Sequence, residues 1–210
     1  MIKEDFYRDL QIFTKTSEFA EIRKYSYGRY LHSGDDFISD EGKNQNIYNL
    51  IDGVFFSSGT GRDYGNFIII KHNPKFIRGG IDDIFFSLYC HLDLVDYTKK
   101  KVINNFIGSG SIIGKMGNTG NCYTLNQMTN KYRPVTEKEA IDPKCNKGVH
   151  LHQGFYQSCE INKETKLLKE LKKLKLVADN PYNYFYQWGK LFYNPKKIMT
   201  YFKLLQGRSI

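Results

Sequence analysis

Between Tyr25 and Tyr89 the chain is built from short runs of β-branched and aromatic residues, each bounded by glycine, asparagine or aspartate. Gly53-Val54-Phe55-Phe56 is one such run, Asn66-Phe67-Ile68-Ile69-Ile70 a second, and Ile84-Phe85-Phe86-Ser87-Leu88-Tyr89 a third. This composition suits a pleated, half-buried surface and reads as strands. Ser58-Gly59-Thr60-Gly61 and Gly117-Asn118-Thr119-Gly120 supply turn chemistry. Many short strands in succession predict a mainly β fold: an antiparallel sheet, sandwich or partial barrel with a few peripheral helices.

Three segments depart from that pattern. Residues 1–20 read as an N-terminal arm or short helix, with Phe6, Leu10, Ile12 and Phe13 placed to cover one edge of the core. Residues 163–177 set Leu167, Leu168, Leu171 and Leu174 at helical spacing, with lysines on the other face. A helix on the sheet with a solvated lysine face is the plain reading. A cell-wall or membrane-surface contact is the sharper one. Tyr182, Tyr184, Phe185, Tyr186 and Trp188 then cluster, as core or hairpin first and as a ligand surface second.

The chain has 210 residues, enough for one domain with a real core. Hydrophobic residues at 40% and charged residues at 25% exclude general disorder. No run of eighteen apolar residues occurs, so no membrane-spanning helix is expected. Lysine and arginine exceed aspartate and glutamate by 31 to 22, a net charge of +9 that favours a polyanionic partner. A nucleic acid, an acidic membrane and an anionic cell wall all qualify, but nucleic-acid binding has no motif support here. Cys90, Cys122, Cys145 and Cys159 lack the spacing of a zinc knuckle or a redox pair and read as free or buried thiols. The N-terminal Met1–Phe13 segment carries Glu4 and Asp5 and no apolar core, unlike a secretory signal peptide.

There are five histidines. His32-Ser33-Gly34-Asp35-Asp36 sets an imidazole and a carboxylate four apart around a glycine that lets the backbone turn. On a strand, His150 and His152 point to one face with Leu151 turned into the core. Zinc sites commonly use such pairs. His91 ends the apolar run at 85–89. His72 closes another strand ahead of a loop, which favours a surface role.

The order His32/Asp36, His91, His150/His152 closely resembles the lysostaphin-type, or LytM-type, zinc metallopeptidases. The resemblance extends to Asp52-Gly53-Val54, Tyr64-Gly65-Asn66, Leu88-Tyr89-Cys90-His91-Leu92, Gly110-Ser111-Ile112-Ile113-Gly114, Gly117-Asn118-Thr119-Gly120 and Asn194-Pro195. It covers about residues 25–200.

The resemblance implies a LytM-like core with a duplicated hybrid motif, forming a single domain over 21–210. Insertions at about 121–149 and 158–192 flank the expected cleft, where they shape substrate choice or cover the site. His32, Asp36 and His152 would bind Zn²⁺, leaving a fourth position for a water of lowered pKa. His91 and His150 would be the catalytic histidines, sharing proton transfer and stabilisation of the tetrahedral intermediate. The implied activity is a zinc metalloendopeptidase that cuts peptide stems or cross-bridges of bacterial peptidoglycan. A non-catalytic LytM-fold activator of another wall hydrolase is the alternative. Either acts at the wall, on its periplasmic or extracellular side. Phage or prophage release, export by another route, or a leader outside this sequence would reconcile that setting with the N-terminus.

Overall fold

The computed structural model describes residues 13–17, 21–25, 28–32, 34–72, 85–96, 105–129, 131–157 and 192–193. The strands come in the order β1 (Thr14–Ser17), β2 (Ile22–Tyr25), β3 (Gly28–Leu31), β4 (Asp35–Ile38), β5 (Asn46–Tyr48), β6 (Gly53–Gly61), β7 (Gly65–His72) and β8 (Phe85–Leu92). After them come β9 (Leu94–Val95), β10 (Phe106–Ile107), β11 (Ile112–Lys115), β12 (Tyr123–Asn126), β13 (Lys131–Pro134), β14 (Leu151–Gln157) and β15 (Phe192–Tyr193). One 3-10 turn, Gly42–Asn44, and one short helix, Glu137–Ile141, are the helical elements among the described residues.

The main sheet runs β1-β4-β14-β8-β7-β6-β10, with β15 also paired to β14. Its neighbouring strands are antiparallel throughout. A three-stranded sheet, β5-β11-β9, is separate. Ile47 of β5 and Ile113 of β11 share one buried cluster with Ile68, Ile70, Tyr89, Leu92, Leu151 and Phe155 of the main sheet. Two sheets around one core make an uneven sandwich, in line with the predicted mainly β class.

Pattern and position agree along the strands. β6 alternates between buried and more exposed residues from Gly53 to Ser58, as expected of a half-buried strand. β7 lies between β6 and β8 and buries Phe67 to Ile70 without a break, which explains why its sequence is continuous rather than alternating. Each fully buried isoleucine there is worth about 2 kcal/mol by transfer from water.

Part of the N-terminal arm is a strand and not a helix. β1 pairs antiparallel with β4, and Phe13 just before it enters the core. Thr14 and Thr16 are β-branched and favour extended backbone, and the pairing covers the edge of β4. The 163–177 helix, the 182–188 aromatic cluster and Asn194-Pro195 lie outside the described residues.

The first insertion has its own small structure. β12 and β13 form a hairpin, and the helix after it opens on a Thr136–Glu139 capping box. Arg133 grips Glu139 with two hydrogen bonds of 2.6 and 2.7 Å. Buried Lys43 donates to the carbonyls of Ala140 and Asp142 at the helix end, where a cation is favoured by the dipole. Of the second insertion, only Phe192 in β15 falls within the described residues.

Candidate active site

Four residues stand in one row across four neighbouring strands: Ser17, Asp36, His152 and Cys90. Directly opposed residues of antiparallel strands share a face, so pairing alone carries Asp36 to His152. Asp35, one residue earlier, belongs to the opposite face and accepts an ion pair from Lys15 at 2.9 Å. Leu151 is buried in the core, as its place between the two histidines predicts.

His32 joins from the end of β3. Its amide donates to the Glu21 carbonyl and extends the β2–β3 ladder by one residue pair. His32 Nε2, Asp36 Oδ1 and His152 Nδ1 then form a triangle with sides of 2.9, 3.0 and 3.0 Å. All three residues are buried. Burial would raise the Asp36 carboxyl, but hydrogen bonds with His152 and His32 more than reverse this and hold it well below its ordinary range.

Gly34 has a packing reason rather than a conformational one. Its φ is not left-handed, but a Cβ there would sit 2.2 Å from the Gln153 carbonyl oxygen. Only glycine lets the His32–Asp36 turn approach β14 this closely.

The outward side of His32 is also organised. Its Nδ1–H lies 3.3 Å from Ser17 Oγ, which donates to the Glu21 carboxylate. A carboxylate–hydroxyl–imidazole chain of this kind fixes tautomer and ring orientation and leaves the Nε2 lone pair on the triangle. Sequence reading missed Ser17 and Glu21, because neither lies in a motif and Ser17 meets His32 only through the strand pairing.

His91 and His150 lie beside the triangle, with ring centroids 4.5 Å apart. His91 and His152 are 6.2 Å apart by the same measure. Strict alternation would turn His91 toward the core, alongside Tyr89. Its φ of +61° breaks the alternation and returns Leu92 to the core. That left-handed conformation is rare away from glycine and carries strain.

A glycine clamp holds it. Gly65 (φ +58°) and Gly120 (φ +79°) meet where two turns cross. A Cβ on Gly65 would lie 2.2 Å from the Thr119 carbonyl oxygen, and one on Gly120 would lie 2.2 Å from the Gly65 nitrogen. Thr119 is thereby fixed. Its hydroxyl accepts from the Asn66 amide and donates to the Leu92 carbonyl, both at 2.8 Å. Its own carbonyl accepts from His91 Nδ1 at 2.9 Å. Burial and the neighbouring His150 and His152 push His91 well below its ordinary pKa. His150 Nδ1 lies 2.9 Å from the Gly148 carbonyl, and its amide donates to the Gly117 carbonyl.

His72 is not at the surface, contrary to expectation. It is fully buried, with Nδ1 3.0 Å from the Asp52 carbonyl and Nε2 2.9 Å from the Ser87 hydroxyl. The strand that carries it lies inside the sheet, between β6 and β8. Cys90 and Cys122 are buried free thiols and Cys145 a half-buried one, in line with the reading of those three; Cys159 lies outside the described residues.

Residues 30–160, more than half of the chain, match peptidase family M23. No curated protein sequence matches the chain. Among solved structures, it is similar to a zinc-containing peptidase from Vibrio cholerae, with 22% identity, a TM-score of 0.45, and coverage of 69% of this chain and 33% of that one. It is also similar to the catalytic domain of the prophage-encoded M23 protein EnpA from Enterococcus faecalis, with 16% identity, a TM-score of 0.43, and coverage of 70% and 82%. A third is a putative glycyl-glycine endopeptidase LytM from Ruminococcus gnavus, with 19% identity, a TM-score of 0.41, and coverage of 83% and 48%. The chain thus spans about a third of the Vibrio cholerae protein's length. It belongs to peptidase family M23, with a fold of the LytM type.

Proposed function

We propose that this chain is a zinc-dependent endopeptidase that cuts peptide cross-links of bacterial peptidoglycan, acting at the wall on its periplasmic or extracellular side. The observation that carries the metal reading is the buried triangle of His32 Nε2, Asp36 Oδ1 and His152 Nδ1, with sides of 2.9 to 3.0 Å.

The donor set fits a zinc ion. A ring nitrogen has one proton or one lone pair and cannot satisfy two neighbours at once. One cation shared by all three donors can. Tetrahedral zinc with bonds of about 2.0 Å spaces its ligands by roughly 3.3 Å, close to the spacing found. Two neutral imidazoles and one carboxylate carry a charge of −1, which a divalent ion brings to +1. Such an ion supplies Lewis acidity toward the scissile carbonyl and lowers the pKa of water.

The rest falls to the protein. His32, Asp36 and His152 would hold the ion. His91 and His150 each commit Nδ1 to a backbone carbonyl, so the lone pair of each neutral ring is on Nε2. One ring accepts the proton of the attacking water at that atom. One hydrogen-bonds the tetrahedral intermediate or protonates the leaving amine. Burial and the neighbouring His150 and His152 favour the neutral form of His91. A non-catalytic activator needs none of these five side chains, and this chain has them all.

Wall specificity is supported by the family and by the +9 charge, which suits an anionic polymer. The test is zinc content by elemental analysis, together with turbidity loss of purified peptidoglycan. One zinc per chain and clearing that a chelator stops is the expected result. Absence of zinc overturns the metallopeptidase reading. Zinc without clearing overturns the wall substrate.

A further inference from the structure

Cys122 lies beside the catalytic pair and takes no part in the chemistry above. Its thiol lies 3.4 Å from the Thr119 carbonyl, the same oxygen that accepts from His91. Cys122 Sγ and one ring nitrogen each of His91 and His150 lie within 4.8 Å of one another. Those three atoms share nothing with the His32–Asp36–His152 triangle.

This cluster is built in the way metal sites are built. Both histidines have Nδ1 tied to a backbone carbonyl, Thr119 for His91 and Gly148 for His150, which presents Nε2 as the donor. One loop sets all three residues: Gly117 accepts from the His150 amide, Thr119 orients His91, and Cys122 ends the loop. Cys122 is 1% exposed and His91 7%, and His150 is half-buried.

We propose that His91, His150 and Cys122 form a second cation site, selective for thiophilic divalent metals, whose occupation shuts down peptide hydrolysis. Two imidazoles and a thiolate suit zinc, cobalt or cadmium and disfavour magnesium and calcium. Binding releases the thiol proton to solvent and leaves a Cys122 thiolate on the metal. A cation on both Nε2 atoms takes up the lone pairs that hydrolysis needs. The inhibitory consequence rests on the endopeptidase reading, whereas the binding does not. Repulsion from a cation in the triangle makes this the weaker site.

The test is a Co²⁺ titration of the metal-free full chain, with stoichiometry from elemental analysis and thiolate-to-metal charge transfer read in the near ultraviolet. The wild type should bind two equivalents, the second bringing the charge-transfer band and loss of peptidoglycan clearing. Cys122→Ser should bind one equivalent without the band and keep clearing when Co²⁺ is in excess. Asp36→Ala should bind one equivalent with the band. Cys145→Ser and Cys159→Ser should keep it. A wild type that stops at one equivalent without a band overturns the second site and leaves the triangle intact. A Cys122→Ser protein with an unchanged band also overturns it. A wild type that binds one equivalent with the band, unchanged in Asp36→Ala, upholds this site and overturns the triangle.

Discussion

Asp36 and His152 are cross-strand partners on β4 and β14, and their facing atoms, Oδ1 and Nδ1, lie 3.0 Å apart. The two residues are 116 positions apart in the chain. Antiparallel pairing closes that separation, and the pleat turns both side chains to one face. Three strands bearing Asp36, His152 and Cys90-His91 lie side by side, so small shifts in register would dissolve the site. Four consequences can be measured.

Ser17→Ala removes the hydroxyl between His32 and Glu21 and loosens the ring that presents Nε2. Zinc affinity should fall by about ten- to a hundredfold, read by competition with a chelator of known affinity. The far-ultraviolet circular dichroism spectrum should not change. Unchanged affinity would show that strand packing alone orients His32.

For His91→Ala the expected result is full zinc stoichiometry with turnover reduced about 10²- to 10⁴-fold, the range for a lost acid–base group. A near-normal rate would show that His91 is structural.

Gly65→Ala should damage both stability and rate. A left-handed alanine costs about 1–2 kcal/mol by itself, and the new methyl meets the Thr119 carbonyl oxygen at 2.2 Å. The urea midpoint should drop, and turnover should fall because Thr119 aims His91. A lower midpoint with unaltered turnover would break the link between this clamp and His91.

His72 predicts a pH dependence of stability. Burial pushes its pKa down from 6.5 to about 4. Above pH 6.5 neither the folded nor the unfolded chain protonates it. Between those values the unfolded chain takes up a proton that the folded chain refuses, so stability falls as pH falls. The loss totals about 3 kcal/mol by linkage. Urea unfolding of His72→Gln at pH 7 and pH 5, with chelator present, should show a smaller difference than the wild type. An equal difference would assign the effect to other groups.

Local chemistry made much of this molecule legible before folding. Short β-branched runs bounded by turn residues announced a mainly β fold, because strand preference and turn chemistry are properties of a few adjacent residues. The His-Leu-His spacing announced two imidazoles on one side of a core leucine, because the pleat repeats every two residues. The motifs around Gly65 and Gly120 were visible as well, though not their meeting.

Tertiary structure decided the rest, wherever the deciding contact is long-range. His72 has a surface-like sequence context, yet its strand is enclosed by two others. His91 has the wrong parity for the cleft and reaches it only through a positive φ that a distant loop stabilises. Ser17 and Cys122 look idle in the sequence. Strand register sets one behind His32, and a loop crossing sets the other beside His91. Sequence patterns report the residue types and local periodicity of a chain. Which of those residues meet is settled by pairing and packing across its whole length.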